Sequence, residues 1–396
     1  MKNVVVNAFS AFLSKQTFDA SSVNDTNVNE FLKIAFQQKI TAITIHSLLS
    51  ADNSLSDSFV SKLKLTEYQR ITSQTKKSQM FLSVYKKMLD RGIKPLCVKG
   101  IMLNSLYPFA DMRECSDEDI LVKDSEFQTC KDVLSENDFE FVCEGINSYV
   151  LTYMHKKSGC MIDVHRTLFP VDDEMYISYN NLFCDIFADF TQINIGEHII
   201  YCPSADKQIL YLILHSFKHF LVSGIGIRQV ADISLFSSKN DINWNGNFKI
   251  FQSLNLDDFV SALLLIGNRY FSLPLDRINS DLFNKSVEIK NLLDDIMNGG
   301  VYGSSNEDHI RSGNLLAAEY KSSLFNEKKS LFSSVFPSYD KMKSKYSYLN
   351  KHPILLPFAY CNRVFDYFSS EHNFSETVDI AKERKKLLAE YNIIRR

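Results

Sequence analysis

Apolar residues recur at helical spacing through most of the first ninety positions of the chain. They repeat every three or four residues from Val28 to Leu49 and again from Phe59 to Leu89, which places them on one face of a helix. Arg91-Gly92 then supplies a helix stop. The pattern predicts a helical N-terminal segment over residues 1–92.

Short apolar runs separated by turn residues replace this spacing between residues 93 and 202. Lys94 to Val98 is a compact run that ends at Lys99-Gly100, and Ile101 to Tyr107 predicts a short helix directly behind that glycine. A second helix is predicted from Asp124 to Glu136. Strands are predicted at Asp119 to Val122, Phe139 to Cys143, Ser148 to His155, Cys160 to His165 and Glu197 to Cys202, with the third and fourth joined as a hairpin.

Helical spacing returns after Pro203 and continues through the rest of the chain. A loop is predicted from Gly299-Gly300 to about Asn314. The outline is an α+β fold, in which an α/β core at 93–202 lies between helical parts and 203–396 forms a helical C-terminal domain. Helices are predicted at Ala205 to Val222 with Ser204 as cap, Ile227 to Phe236, Leu256 to Tyr270 and Ser280 to Met297.

Composition adds three limits to this outline. With 396 residues and 45% hydrophobic content, the chain can bury a sizeable core in two or more domains. A net charge of -3 gives no global positive field that would attract nucleic acid or an anionic membrane. No apolar run approaches eighteen residues, and the N-terminus is too polar for a secretory signal, so we expect a soluble cytoplasmic protein.

The eight cysteines form no C-x-x-C pair, which excludes zinc-ribbon spacing. A disulfide framework is not expected in a chain of this size with an ordinary core. Buried free thiols in a reducing compartment are the simpler interpretation.

Three carboxylates lie on or beside predicted strands. Asp117 and Asp119 are two residues apart, so on an extended strand they point to the same face. Asp163 lies between apolar neighbours on a later strand, where a carboxylate is costly to bury unless it is paired or bound to a metal. Carboxylates are the ligands that Mg²⁺ prefers. The pattern predicts a divalent-metal site at Asp117, Asp119 and Asp163.

A phosphate-binding loop is predicted just upstream. Lys99-Gly100 ends a strand and opens a helix, which offers free backbone N–H groups and close approach to a glycine. Lys99 adds a positive charge, and Arg113 is placed to reach a triphosphate. Ser116, directly before the acidic pair, completes the predicted nucleotide-binding set.

Each element of this set also has an ordinary structural explanation. A D-x-D pattern arises by chance, Lys-Gly is common in turns, and Asp163 has Arg166 nearby as an ion-pair partner. Elsewhere, Arg228 and Asp232 have the spacing of a structural ion pair on a helix. His165, on the same strand face as Asp163, is interpreted as a hydrogen-bonded structural histidine or as a residue that lines the site.

His215 and His219 lie one helical turn apart. The spacing suits zinc, but without a third ligand in sight it favours a hydrogen-bonded packing pair, with a role in lining an acceptor site as the alternative. The basic residues from Lys382 to Arg396 predict a solvated helix face rather than a nucleic-acid clamp. An aromatic group is interpreted as core rather than as a base-stacking platform: Phe332, Phe336, Tyr339, Tyr346 and Tyr348.

The order of these motifs resembles the uncharacterised bacterial nucleotidyltransferase family of the polymerase-beta-type superfamily. The resemblance covers roughly 90 to 240 with specific motifs, and one departure is Ile101 in place of the serine or glycine that usually follows the loop glycine. The segments that carry the resemblance are Val98-Lys99-Gly100, Tyr107-Pro108, Arg113, Ser116 to Val122, Ile162 to His165, Leu214 to His219, Arg228 and Asp232-Ile233.

The resemblance implies a nucleotidyltransferase (EC 2.7.7-like) with a mixed sheet. Asp117 and Asp119 match the paired ligands of two Mg²⁺ ions, Asp163 matches the third carboxylate and helps deprotonate the acceptor, and Gly100 matches the phosphate loop. The implied reaction moves NMP from an NTP, such as ATP, to a hydroxyl and releases pyrophosphate. The acceptor stays open among a small molecule, a protein and RNA, with nucleic acid not favoured. The alternative is a catalytically inactive nucleotide-binding or partner-binding protein.

Overall fold

The structure is a computed structural model that describes residues 1–144, 149–171 and 173–301. Beyond these, it describes residues 313, 316–317, 319–321, 323–324, 339, 342–343, 346–350, 352–369 and 374–394. The predicted loop after Gly300 falls almost wholly outside the described residues.

Helices precede and follow a central sheet. The four N-terminal helices confirm the predicted helical segment. The described helices are α1 (Lys2–Ser14), α2 (Val28–Gln37), α3 (Thr41–Ser50), α4 (Asp57–Asp90), α5 (Ile101–Asn104), α6 (Phe127–Ser135), α7 (Glu174–Asn181), α8 (Ala205–Val222), α9 (Ile227–Lys239), α10 (Trp244–Ser253), α11 (Asp257–Phe271), α12 (Lys290–Gly299), α13 (Leu356–Ser369) and α14 (Phe374–Glu390). Short 3₁₀ turns lie at Ala110–Met112, Asp124–Glu126, Leu275–Arg277, Ser347–Asn350 and Pro353–Leu355.

Seven described strands form one mixed sheet in the order β3-β4-β5-β2-β1-β7-β6. Strand β2 pairs in parallel with β5, and β1 pairs in parallel with β7, while the remaining neighbours are antiparallel. This sheet confirms the predicted α+β class. The strands are β1 (Leu96–Cys97), β2 (Glu118–Leu121), β3 (Phe139–Glu144), β4 (Val150–His155), β5 (Cys160–His165), β6 (Phe190–Ile195) and β7 (His198–Pro203).

Several elements depart from the sequence prediction, which also did not place helices α7 and α10. Strand β6 was not predicted because it lies at the sheet edge with mostly exposed side chains, so it carries no apolar run. The helix predicted from Ser280 begins only at Lys290, because Asn284 and Glu288 accept hydrogen bonds from nearby backbone N–H groups and hold turns there. Helix α8 begins behind Ser204 as predicted, but that hydroxyl donates to Asp189 instead of capping the helix.

One apolar core spans the sheet and the helices on both sides of it. It includes Phe9 from α1, Val98 after β1, Phe217 from α8 and Leu388 from α14, all fully buried. The long helix α4 is tied to the sheet by Tyr85, whose hydroxyl donates to the Pro95 carbonyl at 2.6 Å and accepts from the Tyr201 N–H at 3.0 Å. The division at residues 92 and 202 follows the change of element type and stays a prediction.

The cysteines are free, as expected, but only five of the eight are buried. Cys143, Cys184 and Cys361 are exposed.

None of the described helices combines the length and the apolar character needed to cross a membrane.

Candidate active site

Two neighbouring parallel strands bring the first donors together. In the β2–β5 pairing, Asp119 lies directly opposite Asp163. His165 follows two residues later on β5 and therefore shares the face of Asp163. One ligand atom from each of these three residues lies within 4.8 Å of the others. Two carboxylates and an imidazole at this spacing fit the donor set of a single divalent ion.

Asp119 is the most constrained of the three. Its side chain is buried, with Oδ1 3.1 Å from His165 Nε2 and Oδ2 3.0 Å from Lys99 Nζ. Burial works against the charged carboxylate, but the positive charge of Lys99 and the hydrogen bond with His165 outweigh it and hold the pKa of Asp119 well below its ordinary value. Asp119 is therefore ionised at neutral pH.

Asp163 has a different environment. Burial and the nearby charge of Asp119 raise the pKa of Asp163 to about 6, although Thr152 Oγ1 donates to its Oδ1 at 2.6 Å. Thr152 lies opposite Asp163 in the β4–β5 hairpin, and it was overlooked in the sequence. Counting back from the predicted hairpin turn pairs these two positions, so the signal was present.

Asp117 directly precedes β2 and is half-buried. Its carboxylate lies outside the 4.8 Å group of Asp119, Asp163 and His165. Burial and the charge of Asp119 raise the pKa of Asp117. Asp117 and Asp119 both line a narrow cleft that is partly open to solvent. The three predicted carboxylates thus lie in one region, but it is His165 rather than Asp117 that joins Asp119 and Asp163 in the 4.8 Å group.

The loop at Lys99-Gly100 differs from a free phosphate cradle. Glu118 accepts the Ile101 N–H at 2.6 Å, so one predicted phosphate donor already has a partner. Gly100 has φ +65°, and a Cβ there would lie 1.9 Å from Glu118 Oε2. The glycine is required by this close approach and by its backbone angle. Burial raises the pKa of Glu118 to about 8, and no sequence signal marked this residue.

Lys99 links the carboxylates to the histidine pair of α8. Its Nζ lies 3.2 Å from His215 Nε2, which lies 2.9 Å from His219 Nε2. Burial, followed by the charge of Lys99, lowers the pKa of His215 well below its ordinary value, and burial and Lys218 do the same for His219. The predicted hydrogen-bonded pair is confirmed, and His215 also lines the cleft.

Arg113 lines the cleft but is committed to a buried ion pair. Its Nε and Nη2 donate to the two oxygens of Asp232 at 2.8 Å each, and its Nη1 donates to Asn104 at 2.7 Å. Tyr107 also donates to Asp232, at 2.8 Å. The predicted contact of Arg113 with a triphosphate stays a prediction: three of its five N–H donors are engaged by Asp232 and Asn104, and the side chain lines the cleft.

Asp232 was predicted to pair with Arg228, and this is wrong. Arg228 instead donates from Nη1 to the Glu114 carbonyl. Its Nε is buried and has no hydrogen-bond partner among the described protein atoms. Arg228 lines the cleft near Asp117 and is a cationic residue that the sequence prediction assigned to another role.

Other predicted contacts are settled by the same geometry. Arg166 pairs with Asp124 at 2.7 Å, so it is not the partner of Asp163. Ser116 is exposed and does not line the cleft. Lys218 was overlooked: burial and the like charge of Lys99 lower its pKa to about 8, and it lies near Asp119 and Asp163.

The C-terminal predictions are resolved in part. In the basic tail, Arg384 is buried and contacts Asp295 and the Phe220 carbonyl, so this stretch is not a uniformly solvated face. Phe332 and Phe336 lie outside the described residues. The other three aromatic residues, Tyr339, Tyr346 and Tyr348, pack against a small cluster of Met342, Leu349 and Ala359, as expected of core.

Comparison with known proteins agrees with this geometry. The model of a family described as uncharacterised nucleotidyltransferase matches residues 24–272, more than half of the chain. The match includes the sheet and every cleft residue named above. No curated protein and no solved structure matches the chain. The family match and the carboxylate site lead to one conclusion: the chain belongs to the uncharacterised nucleotidyltransferase family.

Proposed function

We propose that the chain is a metal-dependent enzyme that transfers NMP from an NTP to an acceptor hydroxyl and releases pyrophosphate. The observation that carries this proposal is the convergence of Asp119 and Asp163 with His165 beside a cleft. That cleft carries Lys99 and Arg228, whose positive charges suit a triphosphate. Family membership supports the reaction class.

In this proposal the acidic residues bind the metal ions and the basic residues bind the triphosphate. Asp119 and Asp163 would hold a divalent ion, with His165 at the same site, and Asp117 would face a second ion from the cleft wall. When bound, such an ion polarises the phosphoryl group and offsets its negative charge. Lys99 and Arg228 would orient the triphosphate so that its α-phosphorus faces the carboxylates.

Proton transfer falls to Asp163. The acceptor oxygen forms a bond to the α-phosphorus while the bond from that phosphorus to the leaving pyrophosphate oxygen breaks. The hydroxyl proton passes to Asp163, a carboxylate of the metal group whose pKa in the metal-free protein is raised by burial and by Asp119. Negative charge leaves with pyrophosphate.

The activity is tested by pyrophosphate release from NTPs with a panel of hydroxyl acceptors and Mg²⁺ or Mn²⁺. The Asp117→Ala/Asp119→Ala double variant should lose release by at least about 100-fold, as expected when charge stabilisation of the transition state is removed. The matched control is Asp124→Asn, an exposed carboxylate one loop away that pairs with Arg166. Release that survives in the double variant contradicts the site assignment.

A second candidate is nucleotide binding without turnover, and it is favoured by the state of the phosphate loop at Gly100-Ile101. That donor is engaged by Glu118, and no serine hydroxyl follows Gly100. A binding protein would give saturable NTP binding by calorimetry and no pyrophosphate release with any acceptor or metal. Binding accompanied by release eliminates this candidate.

A further inference from the structure

We propose that His165 is itself a metal ligand and makes this site prefer a divalent transition ion such as Mn²⁺ to Mg²⁺. The inference rests on the proposed function, because it concerns the metal of the same site. It goes beyond that function by assigning an imidazole ligand and the class of ion that such a ligand selects.

The first argument is position. His165 is 5% exposed and lies on the central strand β5, held by neighbours on both sides. Its carbonyl accepts the Val122 N–H at 3.0 Å, and on the other side it pairs with Val150 of β4. The imidazole therefore cannot leave the carboxylates by a loop movement, and its Nε2 is fixed 3.1 Å from Asp119 Oδ1.

The second argument is that the two carboxylate oxygens of Asp119 face different partners. Oδ2 faces Lys99 Nζ at 3.0 Å, whereas Oδ1 faces His165. A cation can therefore approach Oδ1 and the imidazole from the Asp163 side while the Lys99 ion pair stays in place. Among the described protein atoms, Asp119 is the only hydrogen-bond partner of the His165 side chain: Nε2 faces Asp119 Oδ1, and Nδ1 is buried with no partner.

The third argument is ligand chemistry. Mg²⁺ binds oxygen ligands and holds its water tightly, whereas imidazole suits borderline transition ions. An imidazole in place of a third carboxylate also removes one negative charge from the ligands around the ion, which weakens Mg²⁺ binding. Asp117, the carboxylate that would restore an all-oxygen trio, lies outside the 4.8 Å group. Of the divalent first-row transition ions, Mn²⁺ binds a given site most weakly. A preference for Mn²⁺ over Mg²⁺ is therefore a strict test of what the imidazole contributes.

The test measures nitrogen coupling to bound Mn²⁺ in the full chain by pulsed electron paramagnetic resonance. The wild-type protein should show ¹⁴N modulation from one imidazole, and this should change to a ¹⁵N pattern when histidine is supplied as ¹⁵N-histidine. His165→Asn should lose the nitrogen coupling and bind Mn²⁺ at least about tenfold more weakly, while its Mg²⁺ affinity changes much less. Mg²⁺ competition should show the Mn²⁺ preference shrinking in the variant.

Two controls separate His165 from other histidines. His215→Asn alters the cleft histidine beside Lys99, and His155→Asn alters a buried histidine that contacts Ser158 in the hairpin turn. Both should keep the nitrogen coupling. If His165→Asn does not fold, as judged by thermal melting, the wild-type ¹⁴N and ¹⁵N spectra still decide whether any histidine binds the ion.

The outcomes are distinct from those of the proposed function. Bound Mn²⁺ without histidine nitrogen coupling, or coupling that persists in His165→Asn, overturns the inference even if nucleotidyl transfer proceeds with Mg²⁺. Histidine coupling that depends on His165, in a protein that transfers no nucleotide with any metal, supports the ligand assignment and contradicts the proposed function.

Discussion

Asp119 and Asp163 face each other across adjacent strands, yet their environments separate their protonation states. Lys99 and His165 keep Asp119 ionised, whereas Asp163 has its pKa raised to about 6. Paired carboxylates with separated pKa values are a common arrangement where one group binds charge and the other moves a proton. The asymmetry comes from Lys99 and His165, which both contact Asp119 and hold its charge in place.

The raised pKa of Asp163 predicts how pH affects the metal-free protein. The folded state binds the Asp163 proton more tightly than the unfolded chain, whose aspartates titrate near 3.9. The contribution of Asp163 to stability is therefore fully present below about pH 4 and is lost as pH rises to about 6. Asp163→Asn lacks this loss, so it should gain in relative stability over that window by up to about 2–3 kcal/mol.

Urea unfolding of wild type and Asp163→Asn, in EDTA and at several pH values, measures this difference. Subtracting the two curves removes contributions shared by other carboxylates. A difference that stays constant between pH 4 and pH 6.5, or that falls as pH rises, contradicts the environment assigned to Asp163.

Gly100 predicts a second residue-scale result. Gly100→Ala places a Cβ against Glu118 and forces a left-handed backbone angle, so it should lower the free energy of unfolding by about 1–3 kcal/mol. Gly92→Ala is the matched control, because Gly92 has φ +82° and no atom within 4 Å of the added Cβ. Denaturant unfolding should give a larger loss at Gly100, and equal losses would show that the Glu118 contact does not matter.

At the scale of elements, the ion pair between Arg113 and Asp232 fastens α9 to the loop before β2. Both side chains are almost fully buried, so removing one charge leaves the other unpaired in the core. Helix α9 also carries Arg228, so this pair fixes the position of the charge that we propose binds phosphate.

Arg113→Met should therefore destabilise the protein by about 3–5 kcal/mol, and Arg113→Met/Asp232→Leu should recover much of that loss. Lys86→Met, which breaks an exposed pair with Asp90, should change stability by less than about 1 kcal/mol. The measurement is denaturant unfolding of the four proteins. A double variant no more stable than Arg113→Met speaks against a dominant role for the unpaired Asp232 charge.

The sequence predicted elements well where burial leaves a periodic signal. Strands β2 and β5 were placed from apolar neighbours, and their carboxylates with them. Contacts between elements that are far apart in the sequence left no such signal. Arg113 pairs with Asp232, 119 residues later, and Lys99 contacts His215, 116 residues later. Glu118 illustrates the same limit, since its contact with Ile101 depends on how β2 lies beside α5.

At the scale of the whole molecule, the cleft is built by two of the predicted segments. The sheet region supplies Lys99, Asp117 and Asp119, and the following helices supply His215 and Arg228. The family match from 24 to 272 spans both, together with α2 to α4. A boundary at residue 202 therefore separates halves of one site, and neither segment alone would hold both the carboxylates and Arg228.

The central claim is transfer of the α-phosphorus, and the position of a label tests it most directly. With NTP labelled at the α-phosphate, the wild-type protein should attach the label to the acceptor and release unlabelled pyrophosphate. Asp119→Asn should abolish this transfer, and Asp124→Asn should retain it. Transfer of a γ-phosphate label instead, or α-label transfer that persists in Asp119→Asn, would contradict the account.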